Sequence, residues 1–182
     1  MAFSLPNILT VARILLTPIF IILLLKSLYM AGLLVFSIAA VSDGLDGFLA
    51  RYLDQRTTLG AYLDPIADKV LLMAAYVCLA ILKIIPAWLA VIVISRDVVI
   101  VLGIGIISIA GLDLEIRPTM VSKLTTLAQL VTVSLTLLNQ GIPGTAGVLL
   151  APIFWLTAGL TVLSGLHYVV IGLNILQKGF ED

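Results

Sequence analysis

Asp43, Asp46, Gly47 and Ala50 stand at i, i+3, i+4 and i+7, which places them on one face of a helix. Asp64 and Asp68 form an i, i+4 pair, and Gly60 lies one turn earlier on the same face. The stretch from Arg51 to Leu59, with Asp54, Gln55, Arg56 and Thr57 at its centre, reads as a short turn. Two antiparallel helices would then bring four carboxylates towards one point, and Pro65 could bend the second helix there. Carboxylates this close cannot all ionise without a counter-charge, because like charges disfavour one another and a low dielectric strengthens the effect. Mg²⁺ or Mn²⁺ resolves the conflict, since hard cations take oxygen ligands. Two such ions could bridge a pyrophosphate, polarise the phosphorus under attack and stabilise the leaving phosphate. A carboxylate held slightly away from the ions could take the proton from an attacking hydroxyl. Gly47, Ala50 and Gly60 leave room for a nucleotide to approach the backbone. Ion pairing to Arg51, Lys69 and Arg96 is the plainer alternative. Ionisable groups within a membrane are costly, however, and four on matched helical faces argue for function.

The elements that must hold these residues are apolar. Of 182 residues, 62% are hydrophobic and 11% charged, with a formal net charge of zero. A soluble domain carries about 25% charged and about 45–50% apolar residues. The excess cannot be hidden in one small core, so the solvent of this chain is lipid. Zero net charge argues against a nucleic-acid partner. The lone cysteine, Cys78, allows no disulfide within the chain and reads as a small buried hydrophobe. Met1-Ala2-Phe3-Ser4 lacks the basic start of a cleavable signal peptide, so the first apolar stretch is read as a retained helix. No repeat, low-complexity segment or attached soluble domain is visible. The expectation is a single membrane-embedded domain over residues 1–182.

Six apolar segments are predicted as helices. They run from Leu5 to about Lys26, Tyr29 to Arg51, Thr58 to Leu82, Pro86 to Gly111, Pro118 to Leu138, and Gly147 to Leu176. Asn139-Gln140-Gly141-Ile142-Pro143-Gly144 is a turn signal before the last. Each segment reaches roughly 20 residues, enough to span a bilayer, and lipid excludes unpaired backbone, so the fold class is an all-α integral membrane protein with six transmembrane helices. Arg13, Arg51, Arg56, Arg117, Lys123 and Lys178 fall on one side, and Lys26 and Lys83 on the other. The positive-inside rule puts both termini and the carboxylates at the cytoplasmic face.

Residues 43–68 read Asp43-Gly44-Leu45-Asp46-Gly47-Phe48-Leu49-Ala50-Arg51, eight residues, then Gly60-Ala61-Tyr62-Leu63-Asp64-Pro65-Ile66-Ala67-Asp68. This resembles the signature of the CDP-alcohol phosphatidyltransferases, D-x-x-D-G-x-x-A-R-x8-G-x-x-x-D-x-x-x-D, with every fixed position present. The resemblance implies that family's six-helix fold. It implies a metal site of Asp43, Asp46, Asp64 and Asp68, with Asp68 also the catalytic general base. Gly47, Ala50 and Arg51 would lie against the cytidine nucleotide, and Gly60 would let the second and third helices pack closely. The opening Pro6-Asn7-Ile8-Leu9-Thr10-Val11-Ala12-Arg13 is similar to the family's P-N-x-x-T-x-x-R start, which would set Asn7, Thr10 and Arg13 by the donor phosphates. A hydroxyl would displace CMP from CDP-diacylglycerol, in a homodimer, within a membrane that a short chain without transit peptide suggests is the bacterial inner membrane.

Leu63-Asp64-Pro65-Ile66-Ala67-Asp68-Lys69 looks like the branch that makes glycerol-containing phospholipids, whose members use either glycerol 3-phosphate or phosphatidylglycerol. Ile94-Ser95-Arg96-Asp97-Val98 is similar to the I-S-R-D-V of the phosphatidylglycerol users, which make cardiolipin; the others usually have Glu after the Arg. Arg117-Pro118-Thr119-Met120-Val121-Ser122-Lys123, continuing to Gln129, is similar to their P-T-x-x-S-K-x-x-T-x-x-Q. The glycerol 3-phosphate users often show a second Lys at the position of Thr125. A dianionic phosphomonoester calls for more positive charge than a phosphodiester, so the lean is to phosphatidylglycerol. In either case Arg96 and Lys123 are the candidates for the acceptor phosphate, against the plainer reading of a structural Arg and a snorkelling Lys.

Remaining features read plainly. His167 is taken as an interhelical hydrogen-bond group, Gly103 and Gly105 as close-packing positions, and Trp88 and Trp155 as interface anchors. Asp54, Asp113 and Glu115 read as solvated loop charges. Intramembrane prenyltransferases also use Asp-rich motifs, but on longer chains with other spacings. A divalent-cation transporter would more often show inverted repeats or interrupted helices.

Overall fold

The computed structural model describes residues 5–53, 58–109 and 119–179, with side chains over 12–42, 69–107, 119–175 and at 177. Among these residues there are six helices and no strand: α1 (Leu5–Leu25), α2 (Tyr29–Leu53), α3 (Thr58–Ile81), α4 (Ala87–Ile109), α5 (Met120–Gly141) and α6 (Gly147–Gly179). Pro6 stands at the start of α1 and Pro86 just before α4, where a missing backbone N–H is harmless. Three stretches are long and apolar enough to cross a membrane: Ala87–Ile107, Met120–Gly141 and Gly147–Ile175. The described apolar parts of the other helices are shorter, Ala12–Leu25, Tyr29–Ser42 and Lys69–Ile81.

An apolar core is present, with Phe20, Phe36, Tyr76 and Leu89 fully buried, but large apolar side chains also cover the surface and several polar ones are inside. Leu34, Ile81 and Val148 are 63%, 70% and 92% exposed, while Arg13, Arg96, Asp97, Thr125, Gln129 and Thr161 are buried. In water this surface would be a large uncovered apolar patch. In lipid it has no hydrophobic cost, and polar side chains gain by turning towards one another.

Two compact units compose the chain. One holds residues 1–85 and 133–148, the other 86–132 and 149–182, so that the division falls within α5. In the first, α1 packs on both α2 and α3. Phe20 and Phe36 meet at 5.6 Å between ring centroids. Gly32 permits that approach, since a Cβ there would meet Leu24 Cδ2 at 3.1 Å. Both α1 and α3 are followed, two residues past their ends, by a non-glycine residue with positive φ, Ser27 (58°) and Lys83 (57°). The bonds Ser27 N–H to Leu24 O (2.9 Å) and Leu28 N–H to Leu23 O (2.9 Å) close the first end. Lys83 N–H to Ala80 O (3.0 Å) and Ile84 N–H to Leu79 O (2.9 Å) close the second. Terminal carbonyls that lipid could not satisfy are thereby paired.

Helix α5 is longer than expected. The predicted turn at Asn139-Gln140-Gly141 is helical to Gly141, and Ile142 N–H still donates to Leu138 O at 2.8 Å. Two contacts explain the extension. Asn139 Oδ1 accepts from Ala146 N–H at 3.2 Å and so ties the turn back to the helix. Gly141 lies under Met30, which a Cβ would strike at 2.5 Å. The turn itself is made at Gly144, with φ +89°.

In the second unit, Trp88 of α4 and Trp155 of α6 stack at 4.9 Å and 31°, so the two expected anchors form one aromatic contact. A Cβ on Gly103 or Gly105 would meet nothing within 4 Å. These glycines therefore do not serve close packing among the described residues. Gly103 instead lines an apolar groove of ≈ 290 Å³ between α4 and α6, with Val99, Ile107, Tyr168 and Gly172. Cys78 is half-buried rather than enclosed.

Candidate active site

Each of the first three helices carries one piece of the motif. Asn7, Thr10 and Arg13 lie on α1; Asp43, Asp46, Gly47, Ala50 and Arg51 on α2; Gly60, Asp64 and Asp68 on α3. The packing of α1 on both α2 and α3 assembles these helices in one unit. α2 stays helical through Asp43 and Asp46, and α3 through Asp64, Pro65 and Asp68, so the i, i+3 and i, i+4 spacings hold as helical spacings. The side chains of the four aspartates, Gly47, Ala50, Arg51, Gly60, Asn7 and Thr10 lie outside the described residues, as do Asp54, Asp113 and Glu115. Arg13 is described and is 2% exposed. Its carbonyl accepts from Thr17 Oγ1 at 3.0 Å. A buried cation in an apolar helix is costly unless it is paired or has work to do. As a donor set, four carboxylates would supply only hard oxygen ligands, which fits a hard cation such as Mg²⁺ or Mn²⁺.

The second constellation is fully described. Arg96, on α4, is 8% exposed. Its Nη1 donates to Asp97 Oδ1 at 2.7 Å. Its Nη2 donates to Ser122 Oγ on α5 at 2.6 Å and to Ser164 Oγ on α6 at 2.9 Å. The guanidinium lies 5.8 Å from the centroid of the Tyr168 ring. Gly165 makes space for the arginine stem, since a Cβ there would touch Arg96 Cγ at 3.5 Å. Nε is buried without a hydrogen-bond partner. One guanidinium thus joins three helices and keeps a donor unspent.

Local structure sets where α5 presents its part. Thr119 precedes the helix, and its Oγ1 accepts from Ser122 N–H at 3.2 Å. This is an N-cap bond to the third helical residue. It fixes Ser122 beside Arg96 and leaves Lys123, the next residue, exposed. The structure therefore brings Arg96 together with the Ser122-Lys123 segment but gives the two cations different surroundings.

Below Arg96 runs a polar seam that the sequence does not announce. On α5 it comprises Ser122, Thr125, Gln129 and Thr132; on α6, Thr157, Thr161 and Ser164. Thr125 Oγ1 reaches Leu160 O at 3.0 Å, Gln129 Nε2 donates to Thr161 Oγ1 at 3.2 Å, and Thr132 and Thr157 share a hydroxyl contact at 2.7 Å. The spacings of three and four residues are the one helix–helix signature by which the sequence could have shown it. Polar residues in apolar runs invite a search for sites rather than seams. His167, expected to bridge helices, is exposed, and Tyr168 makes the contact instead. Thr132→Val removes the hydroxyl shared with Thr157 and is expected to cost about 1 kcal/mol. Thermal unfolding in detergent tests this; an unchanged midpoint would mean the seam adds no stability.

An apolar-surfaced helical chain with three helices long and apolar enough to cross a membrane has the character of an integral membrane protein. The sequence pattern of the CDP-alcohol phosphatidyltransferases matches residues 3–163. Similar proteins carry consistent names. The CDP-diacylglycerol–glycerol-3-phosphate 3-phosphatidyltransferase of Bacillus subtilis is 34% identical over 91% of this chain and 93% of its own length. The human cardiolipin synthase (CMP-forming) is 31% identical over 96% of this chain and 63% of its own. A probable phosphatidylglycerophosphate synthase of Mycobacterium tuberculosis is 30% identical over 94% of this chain and 82% of its own. The chain belongs to the CDP-alcohol phosphatidyltransferase family. It is an enzyme of phospholipid synthesis.

Proposed function

We propose that this enzyme transfers the phosphatidyl group of CDP-diacylglycerol to a hydroxyl of phosphatidylglycerol, releasing CMP and forming cardiolipin. The reaction class rests on one observation above others. Every fixed position of the D-x-x-D-G-x-x-A-R-x8-G-x-x-x-D-x-x-x-D pattern is present, and its two halves fall on two helices packed against α1. Asp43, Asp46, Asp64 and Asp68 would hold two Mg²⁺ or Mn²⁺ ions, whose chemistry here is neutralising the donor pyrophosphate and polarising its phosphorus. Asn7, Thr10 and Arg13 face the donor phosphates in this reading. Gly47, Ala50, Arg51 and Gly60 accommodate the cytidine nucleotide. Asp68 takes the proton of the attacking hydroxyl as its oxygen bonds to the phosphorus bearing diacylglycerol. The bond from that phosphorus to the bridging oxygen breaks, and CMP leaves with the electron pair. All six helices span the membrane, in a homodimer of the bacterial inner membrane with the site facing the cytoplasm.

For the acceptor, Arg96 and Lys123 receive the phosphate. The lean to a phosphodiester draws its support from Thr125, where the glycerol 3-phosphate users often carry a second Lys, so that the candidate acceptor residues hold one positive charge fewer. A second reading, with glycerol 3-phosphate as acceptor and phosphatidylglycerophosphate as product, draws support from the name of the Bacillus subtilis relative. The deciding experiment supplies purified enzyme with CDP-diacylglycerol and either acceptor. CMP release that depends on phosphatidylglycerol, with cardiolipin as product, is the expected result. Product formed from glycerol 3-phosphate alone would transfer the assignment to the second reading, and CMP from neither would sink both.

A further inference from the structure

Ser164 of α6 has no part in the aspartate motif, yet it sits where three helices meet beside a candidate acceptor residue. It is fully buried, and its Oγ accepts from Nη2 of Arg96 at 2.9 Å. The same Nη2 donates to Ser122 Oγ at 2.6 Å, and Lys123 is the next residue on α5. Arg96 is itself buried, with Nη1 engaged by Asp97. Lys123 is the exposed cation of the two, and so the one that a headgroup can reach. Its ammonium ends a flexible stem, so its aim follows the backbone that carries it. That backbone is the first turn of α5, whose N–H groups have no earlier turn to bond to. Thr119 caps the turn. Its Oγ1 accepts from Ser122 N–H at 3.2 Å, and its carbonyl accepts from Lys123 N–H at 3.2 Å. From outside, α6 holds the turn at two places four residues apart. Thr125 Oγ1 reaches Leu160 O at 3.0 Å, and Ser164 holds Ser122 through Arg96.

We infer that Ser164 is a positioning residue for the acceptor: acting through Arg96 and Ser122, it fixes the first turn of α5 and thereby aims Lys123 at the acceptor phosphate. The inference rests on the reading that Lys123 receives that phosphate, and it does not require Arg96 to touch it. This contact differs from the rest of the seam. Further along, among the described residues, α5 and α6 are joined by neutral groups, Gln129 to Thr161 and Thr132 to Thr157. Only at the end beside Lys123 is a guanidinium used, which costs more in an apolar bundle than another hydroxyl pair would. Its Nε is also buried without a hydrogen-bond partner, a penalty that a purely stabilising contact would not retain. Lys123 adds a second sign. It stands in the first turn of α5, at the positive end of the helix dipole, where a cation is disfavoured. A bound anion relieves that repulsion, and a lysine held in place beforehand loses less freedom on meeting it. Gly165 and Tyr168 close on the guanidinium from the α6 side, so that it cannot turn away from the Ser164 hydroxyl.

The test is steady-state kinetics of the purified full-length enzyme with CDP-diacylglycerol and whichever acceptor it turns over, phosphatidylglycerol in mixed micelles or glycerol 3-phosphate. Ser164→Ala is expected to raise KM for the acceptor by about tenfold, while kcat and KM for CDP-diacylglycerol stay near wild type. Ser122→Ala breaks the same link from its other end and should do the same, and it carries the test if Ser164→Ala fails to insert. In a Lys123→Met background the aimed charge is gone, so adding Ser164→Ala should have no further effect on acceptor KM. Thr132→Val loses an α5–α6 contact about 15 Å further along α5 and should leave acceptor KM unchanged. Losses that multiply in the double variant, or a parallel rise in donor KM, would mean a structural role only and would overturn the inference. So would an equal rise in acceptor KM with Thr132→Val, or no rise with Ser164→Ala. A Lys123→Met enzyme with wild-type acceptor KM would instead refute the reading of Lys123 itself, whatever Ser164 does.

Discussion

Asp68→Asn is expected to lower CMP release from CDP-diacylglycerol by about a hundred- to ten-thousand-fold, the range for losing a positioned general base. Asparagine keeps the shape of the side chain and removes both its charge and its basicity. The helix should not notice, because α3 is continuous through this position and Asp and Asn differ little in helix propensity. Membrane insertion and the unfolding midpoint should therefore stay near wild type, and loss of turnover can be read as chemistry. Asp43→Ala should be as severe for a different reason, since it takes one oxygen ligand from a four-carboxylate donor set. Full activity in either variant, with the protein correctly inserted, would end the proposed assignment of the motif.

Withdrawal of divalent metal is expected to abolish turnover and to be reversible. Lewis-acid stabilisation is worth several kcal/mol, and each ~1.36 kcal/mol is tenfold in rate, so chelation should cost about a thousandfold or more. Mg²⁺ or Mn²⁺ should each restore activity, because both are hard ions suited to oxygen ligands. A soft ion should not. The measurement is CMP release after chelator treatment and graded return of each metal. Robust turnover in metal-free buffer would count against the site. A companion effect is expected on stability. Four carboxylates without counter-charge repel one another, so the wild-type unfolding midpoint should fall on chelation, and Asp43→Ala should blunt that fall.

Much of the fold is legible in the order of residues along the chain. Helix starts at Leu5, Tyr29, Thr58 and Gly147 coincide with the predicted ones, because prolines, charged breaks and glycine turns punctuate apolar runs that lipid forces to be helical. The departure at Asn139-Gln140-Gly141 has a local cause. Those residues favour turns, but Asn139 spends its side chain on Ala146 N–H and Gly141 makes way for Met30, so packing overrides propensity. Gly103 departs from expectation for a related reason. A glycine in a helix marks an absent side chain, and only the neighbours tell whether the space is filled or left as a groove.

The placement of the four carboxylates on two helices is determined by the sequence alone. Helical periodicity decides which residues share a face, and that rule needs no partner. What the tertiary structure alone decides is which faces meet. Nothing in the local sequence of α4 says that Arg96 turns Nη1 to its own neighbour Asp97 and Nη2 to Ser122 and Ser164, 26 and 68 residues away. Nor does it say that the threonines of α5 and α6 face one another. In lipid, a helix gains little by burying apolar surface, so its rotation is set by where its few polar groups find partners. Those partners lie on other helices, and the distances between them belong to the fold.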